Sequence, residues 1–193
     1  MKICVYAASS DAAAPAYRDA AEELGRLLAA GGHTLVFGGG RSGLMGACAR
    51  GAAAGGGEIW GIAPRFFDEP GILFPGCTRF LFTETMRERK QLMEEQSEAF
   101  LALPGGIGTF EEFFETLTLK QLGRHGKPMA LVNTLNYYEP LLELLRAAAD
   151  EGFLARRCLS LFGCCAAPQE ALRYVETAPP VTGGPGRLRD YAT

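Results

Sequence analysis

Residues 99–122 contain the unit from which the fold can be predicted, and they read AFLALPGGIGTFEEFFETLTLKQL. The first five of these residues are apolar and typical of a buried strand. Three glycines follow within Pro104–Thr109. The next residues place a stripe of apolar side chains on one face of a helix, namely Phe110, Phe113, Phe114 and Leu117. A strand, a glycine-rich loop and a helix in this order form the repeating unit of a parallel sheet covered by helices.

The same alternation extends along the chain in both directions. Strand-like runs span about residues 2–8, 34–37, 58–62, 80–82, 99–103, 128–132 and 159–162, and helical periodicity spans about 15–30, 44–54, 85–96, 110–122, 138–151 and 168–176. We therefore predict a Rossmann-like, doubly wound α/β sheet of six or seven parallel strands with helices on both faces. We expect residues 1–177 to form a single domain and the Pro- and Gly-rich residues 178–193 to form a C-terminal tail. Such sheets bind ligands beyond the carboxyl ends of their strands, where the strand order reverses.

The composition excludes several classes of protein. The 193 residues are 48% hydrophobic and 21% charged, which is typical of a globular protein with a sizeable core. A formal net charge of −3 argues against a nucleic-acid partner. No apolar run approaches the roughly 20 residues that span a bilayer, so no membrane partner is expected. Met1–Tyr6 reads directly as a strand and lacks the features of a secretory signal, so we expect a cytoplasmic protein.

The six cysteines predict neither a disulfide framework nor a metal site. No pair has the C-x-x-C spacing of a zinc or redox site, and the two histidines, His33 and His125, are far apart in sequence. Neither histidine has a nucleophile or a base beside it, and His125 lies in an expected surface turn, so both are interpreted as structural. We expect reduced or buried thiols.

A second glycine-rich loop, Gly38–Gly46, follows the predicted strand 34–37 and opens a helix. Its G-x-G-x-x-G spacing is compatible with a dinucleotide site. Two features argue against NAD, because the loop follows the second strand and the next strand ends near Ile62 without an acid for the ribose. Two other interpretations stay open, which are a tight turn with closely packed glycines and a loop that binds a phosphate or a sugar.

The loop Pro104–Thr109 is better suited to a phosphate. Its glycines let backbone N–H groups converge, and the N-terminus of the following helix adds positive potential. It is not a P-loop, because the G-K-[ST] ending is absent. Two glycine-rich loops at one edge of a sheet predict a nucleotide whose phosphate is held by one loop while its base or sugar reaches across the cleft.

Charged residues cluster before and after this loop. On the predicted helix 85–96, four residues share one face at i, i+3, i+4 and i+7, namely Met86, Arg89, Lys90 and Met93. The methionines indicate that this face points inward, so its cations need an anionic partner. The segment Thr109–Glu112 fits a T-x-x-E capping box with Thr109 as the N-cap. Spacing alone leaves two roles open for Glu112, a structural cap or a catalytic carboxylate.

Together these motifs resemble the LOG family, whose members are cytokinin riboside 5′-monophosphate phosphoribohydrolases. The resemblance extends from about residue 2 to about residue 176 and rests on the pairing of Pro104-Gly105-Gly106-x-Gly108-Thr109-x-x-Glu112 with Met86-x-x-Arg89-Lys90. Other matching segments are Ser9-Ser10, Gly38-Gly39-Gly40, Gly43-Leu44-Met45-Gly46, Gln121-Leu122-Gly123, Lys127-Pro128, Tyr137-Tyr138 and Glu151-Gly152-Phe153. The sequence departs from the family pattern at Arg87, Leu119 and Asn136, where histidine, tryptophan and glycine are frequent, and these departures concern the base preference more than the reaction.

The resemblance implies hydrolysis of the N-glycosidic bond of an N6-modified AMP, with plain AMP as a further candidate, by a homodimer without a cofactor or metal. It implies Arg89 and Glu112 as the catalytic pair. The residues that it implies for binding the substrate or its phosphate are Ser9, Gly39, Gly43, Met45, Met86, Lys90, Pro104, Gly105, Gly106, Gly108 and Thr109. The name lysine decarboxylase, often given to such proteins, finds no support, because no lysine stands out as a Schiff-base anchor for pyridoxal phosphate.

Two alternatives to the hydrolase stay open. A nucleotide-binding or sensing protein without turnover would use the same glycine loops, but it would not require both Arg89 and Glu112. An NAD-linked enzyme is the other alternative, and equilibrium dialysis with NAD would test it.

Overall fold

Seven strands form one parallel sheet in the computed structural model, which describes residues 1–181. The strands are β1 (Lys2–Tyr6), β2 (Thr34–Phe37), β3 (Ile59–Pro64), β4 (Arg79–Thr83), β5 (Ala99–Ala102), β6 (Met129–Val132) and β7 (Gly163–Cys165). The α-helices within this range are α1 (Pro15–Ala30), α2 (Gly43–Ala54), α3 (Met86–Glu95), α4 (Ile107–Gln121), α5 (Glu139–Asp150) and α6 (Pro168–Thr177). Short 3-10 turns span Arg65–Phe67, Thr134–Asn136 and Arg156–Ser160.

The strand order is β4-β3-β2-β1-β5-β6-β7. Strand β1 pairs with β2 on one side, with Val5 opposite Phe37, and with β5 on the other side, with Val5 opposite Leu101. The chain therefore builds outward from β1 in one direction and then returns to build in the other. This reversal leaves a crevice beyond the carboxyl ends of β1 and β5, where doubly wound sheets bind their ligands.

Alternate residues of each strand enter two separate cores. Ile3 and Val5 face α1, α2 and α6, whereas Cys4 and Tyr6 face α3, α4 and α5. Because both faces of the sheet are covered, central strands are apolar almost throughout, and every residue of β2 is buried. The predicted Rossmann-like α/β fold with helices on both faces is confirmed.

One predicted strand is wrong. Residues 159–162 lie in and after the 3-10 turn Arg156–Ser160, and the strand that pairs with β6 is the next segment, β7. Leu161 and Phe162 are buried in the core on the α4 and α5 side. Their apolar character therefore reflects burial and not an extended backbone, and a short apolar run does not distinguish the two.

His125 is buried, so the expectation of a surface turn is wrong. Its Nδ1 atom accepts a hydrogen bond from the backbone N–H of Lys127 at 3.2 Å, which leaves Nε2 to donate to the carbonyl oxygen of Thr116 at 2.9 Å. Burial lowers the pKa of His125 and favours this neutral form. The ring thus holds the C-terminal half of α4 against the chain that enters β6, which is a structural role.

The predicted tail, residues 178–193, is described only as far as Val181. The backbone N–H of Val181 donates to the carbonyl oxygen of Gly126 at 3.1 Å, and its side chain packs against the core on the α3, α4 and α5 side. Residues 182–193 of the predicted tail lie outside the described part of the chain. Among residues 1–181, no helix combines the length and the apolar character needed to cross a membrane.

Candidate active site

A cleft of about 640 Å³ lies at the carboxyl edge of the sheet, where the strand order reverses. Its walls come from the loops after β1, β2 and β5, from the first residues of α3 and α4, and from the segment that precedes β4. Small-molecule pockets have volumes of about 300–1,000 Å³. The cleft therefore has the position and the size expected for a nucleotide.

An ion pair between Arg89 and Glu112 forms one wall of the cleft. Arg89 Nη1 lies 2.6 Å from Glu112 Oε1, and Arg89 Nε donates to the carbonyl oxygen of Ile62 at 3.2 Å. The side chains are 8% and 12% exposed, so both charges have lost most of their hydration. A buried pair of this kind is weak evidence for stability, and beside a cavity it points to a functional role. The anionic partner that the sequence required for Arg89 is Glu112.

The backbone of Glu112 is tied to β1, and its carboxylate is electrostatically perturbed. The hydroxyl of Thr116 donates to the Glu112 carbonyl oxygen at 3.0 Å and is also bonded to the Tyr6 hydroxyl at 2.9 Å, which ties this part of α4 to β1. Burial raises the pKa of Glu112 above the 4.5 of an ordinary glutamate, and the Arg89 guanidinium opposes this rise. Glu112 therefore takes up a proton at a higher pH than a surface glutamate does.

Of the two roles left open for Glu112, the structural cap with Thr109 as the N-cap is wrong. Helix α4 starts at Ile107 after an N-cap at Gly106, and no side chain in the described part of the chain caps it. Thr109 is already the third helical residue, so Glu112 lies beyond the reach of the N-cap backbone. The T-x-x-E pattern does form a capping box at the start of α3, where Thr85 and Glu88 bond each other's backbone N–H groups. Glu112 therefore does not cap the helix, and its carboxylate pairs with Arg89.

In the loop between β5 and α4, hereafter the β5 loop, the carbonyl oxygens are hydrogen-bonded, whereas three N–H groups have no acceptor within residues 1–181. Four successive carbonyls accept hydrogen bonds, which are Leu103 from Tyr138 Oη, Pro104 from the Ala8 N–H, Gly105 from Tyr137 Oη, and Gly106 from the Phe110 N–H. In the described part of the chain, no acceptor pairs with the N–H groups of Gly106, Ile107 and Gly108. Free N–H groups at a helix N-terminus favour an anion.

The loop between β2 and α2 uses its N–H groups inside the protein. The N–H of Gly43 donates to Asp11 Oδ1 at 2.8 Å, and those of Leu44 and Met45 donate to the carbonyl oxygen of Ala8 at 2.9 and 3.2 Å. Gly43 has a φ of 61°, and a Cβ there would lie 2.5 Å from the same carbonyl oxygen, so a larger residue does not fit. The first N–H groups of α2 are therefore occupied, which argues against a dinucleotide phosphate at this loop.

The loop between β2 and α2, hereafter the β2 loop, packs against the guanidinium of Arg89. A Cβ on Gly38 would lie 2.1 Å from Arg89 Nη2, so only the absence of a side chain lets the guanidinium lie against this backbone. The loop is itself fixed by the segment before β4. The N–H of Arg41 donates to the carbonyl oxygen of Ile72 at 3.0 Å, and the N–H of Phe74 donates to that of Gly39 at 2.8 Å. These contacts support the tight-turn interpretation of this loop.

The structure brings most of the predicted site residues together in the cleft. The residues that line it are Ser9, Met45, Met86, Arg89, Gly106, Gly108, Thr109 and Glu112. The predicted residues outside its lining are Gly39, Gly43, Lys90, Pro104 and Gly105. The four residues other than Lys90 belong to the two glycine-rich loops and determine the path of their backbone. Direct contact between any of these residues and a substrate stays a prediction.

Lys90 faces a different cavity, of about 340 Å³, between α3 and α4. Its ammonium group forms ion pairs with Glu111 and with Glu115. The face of α3 that the sequence predicts to point inward is therefore only partly buried. Arg89 and Met93 are buried, whereas Met86 is 40% exposed and lines the cleft.

The sequence did not predict that the segment before β4 forms a wall of the cleft. Phe67, Ile72 and Leu73 line the cleft, together with Arg41 of the β2 loop. The segment has no helical or strand periodicity, and an antiparallel bridge between Gly40 and Leu73 holds it in place. The apolar residues of this segment indicate some burial, but that they line the cleft depends on this long-range pairing.

Comparison with known proteins identifies the family. Residues 45–175 match the family model described as "Possible lysine decarboxylase". The chain is 39% identical over 175 residues to a probable cytokinin riboside 5′-monophosphate phosphoribohydrolase of Oryza sativa subsp. japonica, over 91% of this chain and 78% of that protein. It is 46% identical over 139 residues to the cytokinin riboside 5′-monophosphate phosphoribohydrolase of Rhodococcoides fascians, over 72% of this chain and 70% of that protein. The chain belongs to the LOG family.

This LOG-family chain is also similar to a solved structure with a different description. The molybdenum cofactor carrier protein of Chlamydomonas reinhardtii is 25% identical and superposes with a TM-score of 0.69, over 91% of this chain and 97% of that one. A carrier and a set of hydrolases thus share the fold with this chain. The choice between binding and catalysis therefore depends on the site and not on the fold.

Proposed function

We propose that this LOG-family protein hydrolyses the N-glycosidic bond of N6-modified adenosine 5′-monophosphates to a free base and ribose 5-phosphate. The observation that carries the proposal is the buried Arg89–Glu112 pair, which lies in the same cleft as the open N-terminus of α4. The names of the rice and Rhodococcoides relatives support the same reaction. We include plain AMP as a further substrate, because it has the same ribose and phosphate.

The 5′-phosphate binds at the loop that precedes α4. The free N–H groups of Gly106, Ile107 and Gly108 can donate to its oxygens, and the helix dipole adds positive potential. Arg41 also lines the cleft, so two arginines accompany the one carboxylate of Glu112 there. This excess of positive charge favours an anionic substrate.

Hydrolysis breaks the bond between C1′ of the ribose and N9 of the base. Water supplies a hydroxyl group to C1′, and its remaining proton ends on the departing base, so the reaction balances without another reactant. Positive charge builds on the ribose as the bond breaks, as in other glycosyl transfers. Glu112 in its ionised form stabilises this charge and orients the attacking water.

Arg89 acts on the same step through its charge. Its guanidinium holds the Glu112 carboxylate at 2.6 Å and lines the cleft, and in this proposal it stabilises negative charge on the departing purine. Charged groups act more strongly in a site from which water is largely excluded. Both members of the pair therefore contribute to the transition state and not only to binding.

A nucleotide-binding protein without turnover is the second candidate. The likeness to a cofactor carrier is the observation that favours it. Such a protein would need the open N-terminus of α4, but it would not need a carboxylate of raised pKa against a buried arginine. This difference places the hydrolase first.

A decarboxylase that depends on a cleft lysine is not favoured. The sequence has four lysines, which are Lys2, Lys90, Lys120 and Lys127. None of them lines the cleft. Within residues 1–181, no group of three or more His, Cys, Asp or Glu side chains is arranged to hold a metal ion.

The decisive experiment incubates the purified protein with AMP and with isopentenyl-AMP and separates the products by chromatography. Release of base and ribose 5-phosphate is the expected result, and loss of a positioned carboxylate in Glu112→Gln should reduce turnover by about 10²–10⁴-fold. Glu111→Gln, which removes the neighbouring carboxylate but leaves Lys90 its ion pair with Glu115, should keep turnover within about twofold, since an exposed ion pair contributes little. Tight nucleotide binding with no base released would favour the second candidate.

We further propose a cytoplasmic homodimer. The family resemblance implies the dimer, and large apolar side chains at the surface, such as Leu144 at 65% and Phe153 at 83% exposure, support an interface. All six cysteines are free thiols, which suits a reducing compartment. Sedimentation equilibrium tests the dimer, and cell fractionation tests the location.

A further inference from the structure

The turn after β6 directs two tyrosines at the backbone of the β5 loop. The hydroxyl of Tyr137 donates to the carbonyl oxygen of Gly105 at 2.5 Å, and that of Tyr138 donates to the carbonyl oxygen of Leu103 at 2.7 Å. Tyr138 is buried, whereas Tyr137 is partly exposed. Neither side chain lines the cleft, so both act on the loop from behind.

The turn that carries these tyrosines has an unusual backbone. Leu135 and Asn136 have φ angles of 53° and 59°, and they are the residues other than glycine with positive φ among residues 1–181. This left-handed conformation is unfavourable for a residue with a Cβ, above all for leucine. Asn133 stabilises the turn, because its side-chain oxygen accepts from the N–H of Tyr138 at 2.7 Å. Strain that the surroundings fix in this way often marks a functional position.

The contact with Gly105 determines the direction of one particular N–H group. The carbonyl of Gly105 and the N–H of Gly106 belong to the same planar trans peptide, so they point in opposite directions. Because Tyr137 holds the carbonyl on one side, the N–H of Gly106 points to the other side, and Gly106 lines the cleft. A peptide between two glycines is the one most free to rotate, so it gains most from such a fixed contact.

We propose that Tyr137 is a positioning residue for phosphate recognition, with its hydroxyl locking the Gly105–Gly106 peptide so that the Gly106 N–H faces the 5′-phosphate. Tyr138 secures the preceding carbonyl, and the strained turn at Leu135 and Asn136 brings both tyrosines to the loop. The inference rests on the proposed function for the identity of the ligand. The phosphate-binding role itself does not depend on turnover.

The test compares Tyr137→Phe with Tyr17→Phe. Tyr17 lies edge-on against the Tyr137 ring, with ring centroids 6.0 Å apart. It is a matched control, because within residues 1–181 no hydrogen bond joins its hydroxyl to the loop. Binding of ribose 5-phosphate, AMP and adenosine is measured by calorimetry, and KM and kcat are measured with the preferred nucleotide.

Tyr137→Phe should weaken ribose 5-phosphate and AMP binding by about three- to tenfold, the usual effect of one lost hydrogen bond. KM should rise by the same factor, while kcat and adenosine binding should stay unchanged, and Tyr17→Phe should behave as the wild type. A purely structural role would lower the melting temperature without separating adenosine from AMP. Wild-type affinity for ribose 5-phosphate in Tyr137→Phe, or an equal loss for adenosine and AMP, would overturn the inference.

Failure of the proposed function gives a different pattern. If the wild type binds AMP and ribose 5-phosphate but releases no base, the hydrolase proposal fails, and the calorimetric comparison still decides the role of Tyr137. If the wild type releases base and Tyr137→Phe binds normally, the function stands and the inference fails. A wild type that binds no ribose 5-phosphate would remove the phosphate site and the inference with it.

Discussion

The β2 loop and the β5 loop have similar sequences but opposite hydrogen-bonding states. Each follows a buried strand, contains several glycines and leads into a helix. At the β2 loop, the N–H groups of Gly43, Leu44 and Met45 already donate to the chain itself. At the β5 loop, the carbonyls are occupied and the N–H groups of Gly106, Ile107 and Gly108 are open.

The comparison teaches that a glycine-rich loop can accept an anion only where its N–H groups are left unpaired. The β2 loop has a structural role. Gly38 packs against the guanidinium of Arg89, and the loop is hydrogen-bonded to the cleft wall at Ile72. The β5 loop is available to a ligand, because Tyr137 and Tyr138 turn its carbonyls away. Substitutions that reverse or remove these states provide the sharpest tests.

The largest effect is expected where the β2 loop supports Arg89. In Gly38→Ala, the new Cβ would lie 2.1 Å from Arg89 Nη2, so the guanidinium must shift, and its contact with Glu112 is disturbed. We expect a fall in kcat of about 100-fold, the scale associated with misplacing a catalytic group by about 1 Å. The melting temperature should also fall, because disturbing a buried ion pair leaves its charges without a full partner. A kcat within threefold of the wild type would show that Arg89 does not need this seat.

The next effect concerns the open N–H groups of the β5 loop. Ile107→Pro removes one N–H at the first helical position, where proline is well tolerated and the preceding Gly106 is already extended. Loss of a hydrogen bond to a charged phosphate should weaken AMP and ribose 5-phosphate binding by about tenfold or more. Titration calorimetry measures this loss.

Ile107→Ala is the matched control, since it removes the exposed side chain and keeps the N–H. It should bind both phosphates as the wild type does. If the alanine variant loses as much affinity as the proline variant, the side chain and not the N–H group contacts the ligand.

The pH dependence of kcat/KM should report the buried carboxylate beside the open loop. Burial raises the pKa of Glu112 above 4.5. The proposed mechanism uses the ionised form of this carboxylate. Activity should therefore fall as the pH decreases through this raised pKa, by about tenfold for each pH unit once most of the carboxyl is protonated. The acid limb should lie at a higher pH than an ordinary glutamate would give and should be absent from the residual activity of Glu112→Gln. The same limb in Glu112→Gln would assign it to another group.

The smallest effect is expected at the occupied loop. Asp11→Ala removes the carboxylate that accepts from the N–H of Gly43, and loss of such a helix-terminal acceptor costs about 1 kcal/mol in the free energy of unfolding. Urea unfolding measures this change, and Asp11→Asn, which keeps an acceptor, should restore most of it. Affinity for AMP should be unchanged. A clear loss of AMP affinity in Asp11→Ala would mean that the β2 loop also takes part in binding.

Much of the architecture could be predicted from local sequence. The apolar strands and the periodic helices define the doubly wound sheet, because burial on both faces leaves a continuous apolar signature. The pairing of the two motifs around Arg89 and Glu112 indicated the family. Prediction failed at Leu161 and Phe162, whose apolar character comes from burial in a turn, and at His125, whose burial follows from contacts with α4 and β6.

The site depended more strongly on the tertiary structure. The T-x-x-E pattern suggested a cap at Thr109, but the N-cap lies three residues earlier, at Gly106, and Glu112 pairs with Arg89, 23 residues away in sequence. The wall formed by Phe67 and Ile72 has no periodic signal, and its position depends on the bridge between Gly40 and Leu73.

The sequence by itself determined the alternation of strands and helices, the two glycine-rich loops and the pair of charged motifs, because these follow from the spacing of neighbouring residues. Only the tertiary structure decided which loop is open to an anion. Gly43 is occupied by Asp11, and Gly105 is held by Tyr137, each from 32 residues away. The state of a backbone N–H or carbonyl group depends on what the fold places against it, and that partner cannot be deduced from the residues on either side.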